Sequence, residues 1–142
     1  MMNKKAFYPV FASFLLLVTS CGKDPVAPAV PEGVVTLDKT NFASMTRVAG
    51  RVSMVEFYSP ASLACQALDS SVEGIARRYG GKAVIAKVNF SQDDALKAEW
   101  DVWILPTFLF LNGGREVKRI VQPSGGDSLV MVLDSLLAPG SK

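Results

Sequence analysis

Residues 52–81 read VSMVEFYSPASLACQALDSSVEGIARRYGG, and the fold turns on how this stretch divides. Val52 to Tyr58 is apolar except at Ser53 and Glu56, the composition of a strand covered on both faces. Cys65, Leu68, Val72, Ile75 and Tyr79 then recur at steps of three and four, which predicts one long helix with a single inward stripe. Gly80-Gly81 stops it, and Gly74 within it is expected to loosen or bend a turn. Ser59-Pro60 suits an early helix start, and Ser62 suits a cap three residues before Cys65. A strand buried on both faces followed by such a helix points to an α/β domain.

The flanks extend the pattern. Val34 to Leu37 reads as a short strand, and Phe42, Met45 and Val48 place a short helix before Gly50. Ala83 to Asn89 is a second buried strand, and Asp93-Asp94 opens a helix bearing Leu96 and Trp100. After Leu105-Pro106, strands Thr107–Leu111 and Glu116–Val121 flank Asn112-Gly113-Gly114, a hairpin turn. Asp127 is expected to cap a final helix with Leu129, Val132, Leu133 and Leu136 inward. The order is β-α-β-α-β-α-β-β-α, a mixed sheet with parallel crossovers and helices on both faces.

The chain has 142 residues, enough for one domain with a real core. Lys4 and Lys5 followed by the apolar run Ala6–Val18 and small residues at Ser20-Cys21-Gly22 have the layout of an export signal, too short to span a bilayer. Val18-Thr19-Ser20-Cys21 resembles a bacterial lipobox, which implies that residues 1–20 are removed and Cys21 is lipidated. Acyl chains on Cys21 would anchor the domain to a membrane at about 0.8 kcal/mol per buried methylene. Residues 21–33, with Pro25, Pro28 and Pro31 at the polyproline II period, are expected to form a stiff tether tens of ångströms long. The domain is assigned to 34–138 and a tail to 139–142.

Several classes are excluded. Without Lys4 and Lys5, thirteen basic residues face thirteen acidic ones, so no basic surface for nucleic acid is expected. The chain has no histidine, which removes the commonest metal ligand and general base and excludes a Ser-His-Asp triad. No metal site or cofactor is expected.

Four segments together resemble the thioredoxin family: Val55-Glu56-Phe57-Tyr58, Ser62-Leu63-Ala64-Cys65, Ile85-Ala86-Lys87-Val88-Asn89 and Ile104-Leu105-Pro106-Thr107. Their spacings match the family without a gap over roughly Val34 to Leu137. The resemblance implies a thioredoxin fold, a cis bond before Pro106, and a groove formed by Ala61, Ser62, Leu105 and Pro106 that receives an extended peptide or partner protein. It also implies that Ser62 replaces the attacking cysteine and that Cys65 holds the resolving position.

Dithiol exchange needs both sulfurs, and a serine with no strong base beside it is not a useful nucleophile. Cys65 is then the only free thiol after lipidation of Cys21, either a reactive group or a small core residue. Ser62 either caps its helix or hydrogen-bonds the thiolate of a bound small thiol. The resemblance casts Glu56 as a buried proton carrier and Lys87 as its neighbour; the alternative is a buried ion pair serving structure. Tyr58 and Ala61 stand where the family carries tryptophans, and Trp100 and Trp103 are expected in core or rim packing and not in binding. The leading expectation is a lipid-anchored protein of the bacterial envelope, facing away from the cytoplasm, that binds clients without dithiol exchange. The competing ones are a monothiol oxidoreductase or isomerase, with Cys65 and an external thiol, and a structural subunit of an envelope complex.

Overall fold

The computed structural model describes residues 26–141. The signal segment 1–20 and the lipidation site Cys21 lie outside the described residues. The elements in chain order are β1 (Val34–Leu37), α1 (Phe42–Thr46), β2 (Val52–Tyr58), α2 (Leu63–Gln66), α3 (Asp69–Tyr79), β3 (Ala83–Asn89), α4 (Asp94–Glu99), β4 (Thr107–Asn112), β5 (Arg115–Val121) and α5 (Asp127–Leu137). The sheet runs β1-β3-β2-β4-β5. β3 pairs in parallel with both β1 and β2, whereas β4 is antiparallel to β2 and β5.

Alternation along the strands splits the core in two. Val52 and Met54 of β2, Ala83 and Ile85 of β3, and Phe108 and Phe110 of β4 pack beneath α3 and α5 against Val72, Ile75, Leu129 and Leu133. Val55, Phe57, Val84, Ala86, Val88, Leu109 and Leu111 point the other way, toward Phe42, Leu96 and Val102. Trp100 joins that second layer, its ring 5.4 Å from Phe42 at 40°, as a packing role requires. The central strands are therefore near-continuous apolar runs, while the edge strand β5 is mostly exposed.

Three local expectations need correction. The long helix is broken: the Leu68 N–H bonds the Cys65 carbonyl at 2.9 Å, an i→i+3 turn that ends α2 and re-aims α3. The break falls at Ala67-Leu68 and not at Gly74, which lies inside an unbroken α3. The last helix is capped by Gly126 with no side-chain bond; Asp127 is its first residue, where a carboxylate favours the positive helix end. The hairpin strands each extend one residue further than their apolar pattern, leaving Gly113 (φ 59°) and Gly114 (φ 80°) as a two-residue turn. Gly114 admits no side chain, because a Cβ there would collide with Cγ of Arg47.

The proline-rich segment also departs from expectation. Residues 28–32 lie against the domain: Arg51 donates to the Pro28 carbonyl, Gly81 N–H to the Pro31 carbonyl at 3.2 Å, and Val30 packs on the second core layer. Glu32 passes so close to Gly80 that a Cβ on that glycine would sit 3.1 Å from its Cα. The docked stretch 28–32 belongs to the domain and not to a free tether. Those docking points, beside the starts of β2 and β3, lie at the end of the sheet opposite Tyr58.

Candidate functional site

Parallel β2 and β3 both end where α2 begins, and antiparallel β4 starts there, with Thr107 opposite Phe57. That register brings the 59–62 loop, α2 and the Leu105-Pro106 peptide to one end of the sheet. The Leu105–Pro106 bond is cis and Pro106 is buried. Thr107 ties the approach to it, its hydroxyl donating to the Ile104 carbonyl at 2.6 Å.

Ser62 is the cap of α2. Its backbone is extended (φ −85°, ψ 116°) and its Oγ accepts from the Cys65 N–H at 3.3 Å. Ser59 does not begin the helix; it forms the preceding turn, accepting from Ser62 N–H at 3.0 Å through its carbonyl and from Ala61 N–H through its Oγ. Cys65 is 1% exposed and unpaired, so its sulfur is shielded from a macromolecular disulfide in this conformation. Ala61 is exposed and Leu105 half-buried.

Beneath this end lies Glu56, fully buried and opposite Lys87 in the β2–β3 register. The Lys87 ammonium is 3.4 Å from Oε2 of Glu56 but 2.5 Å from Oδ1 of Asp69, and it stands 4.6 Å from the centre of the Tyr58 ring. Neither oxygen of Glu56 makes a hydrogen bond. Burial accordingly pushes the Glu56 carboxyl up to about 7, against the opposing pull of Lys87 and with a further push from Asp69. Burial would lower Lys87, but the bond to Asp69 and the charge of Glu56 outweigh it and hold the ammonium above its ordinary value. The geometry is thus a buried acid that shares its cation with a surface carboxylate.

Sequence reasoning missed Asp69, the first residue of α3, which meets Lys87 of β3 across elements. It also missed the apolar surface beside the peptide bond: Trp103 is 71% exposed, Ile104 52% and, on α2, Leu63 79%. Trp103 is thus not a core residue. Gln122, which follows β5, reaches the same place: its N–H donates to the Pro106 carbonyl at 2.9 Å and its side-chain amide to the Leu105 carbonyl at 3.2 Å. Only the pairing of Val121 with Thr107 reveals that neighbourhood.

A buried mixed sheet of this order, with a capped SxxC turn and a cis-proline at the same end, defines a thioredoxin-like domain. The thioredoxin family model matches residues 33–135, and the chain belongs to that family. It is 30% identical over 81 residues to thioredoxin 2 of Chlorobaculum tepidum, covering 57% of this chain and 74% of that protein. It is 35% identical over 94 residues to protein disulfide isomerase-like 1-3 of Arabidopsis thaliana, covering 64% of this chain but only 16% of the length of that larger protein. Among solved structures, a mutant thioredoxin from Halobacterium salinarum NRC-1 superposes with a TM-score of 0.70 at 24% identity, over 78% of this chain and 96% of that one. Spinach chloroplast thioredoxin f gives 0.69 at 17% identity, over 77% and 90%. These likenesses carry the fold.

Proposed function

We propose that this thioredoxin-family protein is a client-binding module of the bacterial envelope, lipid-anchored through Cys21, that holds an extended peptide or partner protein in the Ala61/Ser62/Leu105/Pro106 groove. One observation carries the loss of dithiol exchange: the position that must supply the attacking sulfur is a serine whose Oγ is already used to cap α2. The surviving Cys65 is buried, which favours holding over chemistry. Exposed Leu63, Trp103 and Ile104 supply the apolar contact area that a client side chain requires. The docked segment 28–32 supports the proposed orientation, because a chain anchored at Cys21 would enter at the end of the sheet opposite the groove.

Insulin reduction with an external thiol, run on the full chain, tests this reading. No turnover is expected from the wild type, and Ser62→Cys should give measurable reductase activity by completing the pair. Wild-type turnover that disappears in Cys65→Ala would establish instead the monothiol oxidoreductase. Metabolic labelling with a radiolabelled fatty acid tests the anchor: incorporation is expected in the wild type and absent in Cys21→Ala.

A further inference from the structure

Gln122 is a non-glycine residue in the left-handed region, φ 48°, at an exposed position directly after β5. Glutamine has no local side-chain bond that favours that conformation, as asparagine and aspartate do, so the surroundings must hold it there. Two hydrogen bonds do so, and both end on the segment that enters β4: the backbone N–H on Pro106 and the side-chain amide on Leu105.

On the groove reading, the Leu105 backbone is where an extended client would attach. A residue before proline is biased to an extended conformation, the backbone shape that can pair its N–H and carbonyl with a partner strand. An antiparallel partner residue exchanges two hydrogen bonds with the one opposite it, giving an N–H to the carbonyl and taking one from the N–H. Among the described residues the Leu105 N–H has no hydrogen-bond partner, while the Leu105 carbonyl is held by the Gln122 amide. Half of the docking position is open and half is closed by a side chain.

We propose that Gln122 is a latch on the client groove: its side-chain amide takes the place of a client backbone N–H on Leu105, and an extended peptide binds by displacing it. This rests on the groove reading above. The neighbours Trp103 and Ile104 are exposed and apolar, and an unpaired backbone edge beside them would invite indiscriminate strand pairing. A solvent-exposed amide–carbonyl bond has a small net free energy, so a client that supplies both hydrogen bonds and an apolar contact opens the latch, whereas a weaker one does not. The latch therefore sets a threshold on which extended segments are held.

The test uses the full chain in detergent micelles and a pool of blocked octapeptides alternating valine, leucine or phenylalanine with serine or lysine. Affinity is read from titration and the binding position from the Leu105 amide and Gln122 side-chain amide signals in NMR spectra. Gln122→Glu keeps the size but cannot donate to a carbonyl when ionised, and Gln122→Gly removes the side chain. Both variants are expected to bind about three- to tenfold more tightly than the wild type, and in the wild type the Gln122 amide signals should move as peptide is added. Binding at Leu105 with equal affinity in all three proteins overturns the latch while leaving the groove reading intact. Tightening by Gln122→Gly alone also overturns it, because bulk and not the hydrogen bond would then be the obstacle. Failure of the pool to move the Leu105 amide in any of the three overturns both readings.

Discussion

Glu56 lies directly across from Lys87 on the neighbouring parallel strand, yet its carboxylate stands 3.4 Å from the ammonium and neither oxygen makes a hydrogen bond. A fully buried acid so poorly compensated favours its neutral form, and burial pushes its carboxyl up from about 4.5 to about 7.

Stability should therefore fall as pH rises. The folded state binds the Glu56 proton more tightly than the unfolded chain, so its contribution is complete below about 4.5 and is lost as pH climbs through about 7. Denaturant unfolding between pH 5 and 8 should show a decline approaching about 3 kcal/mol at full effect. Glu56→Gln should flatten that slope and be the more stable protein at pH 8.

Asp69 draws Lys87 away from Glu56 and adds its own negative charge, and both raise the buried acid. Asp69→Asn should release the ammonium toward Glu56 and move its midpoint downward. Carboxyl carbon-13 NMR of Glu56 across pH measures this directly; an unchanged midpoint would show that burial alone sets it.

Cys65 should not react with a thiol reagent in the folded protein, and should label fully once denaturant is added. Ser62→Ala removes the only side-chain bond to the Cys65 N–H, which should cost about 1 kcal/mol and open this four-residue helix often enough to speed labelling. Labelling that is fast in the wild type would return Cys65 to the list of reactive groups.

Gly80 leaves room for Glu32 to pass, and a methyl group there must push the docked segment outward. Gly80→Ala should loosen the docking of residues 28–32 without unfolding the domain. Faster hydrogen exchange at the Gly81 amide, which donates to the Pro31 carbonyl, and faster proteolysis near Ala29 are the expected readouts. Unchanged exchange at Gly81 would mean that Glu32 yields while the segment stays docked.

Much of this molecule was legible in residues 52–81 and their flanks, because burial on both faces, helical periodicity and turn glycines are local signals. They were enough for the strand order along the chain, most inward residues though not Val48, which lies beyond α1, and the thioredoxin likeness carried by Ser62, Cys65, Glu56, Lys87 and Pro106. The proposed loss of dithiol exchange likewise rests on local information, the serine at position 62 and the absence of histidine.

What lay beyond the sequence depended on which segments meet. Local periodicity could not reveal the helix break at Leu68, because Leu68 and Val72 remain buried in either arrangement. The docking of Pro28 and Pro31 on Arg51 and Gly81, the sharing of Lys87 between Glu56 and Asp69, and the approach of Gln122 to Leu105 all join residues distant in the chain. Side-chain pattern determines which face of each element turns inward. Strand register and chain crossing decide which polar groups become neighbours, and with them the state of the buried acid.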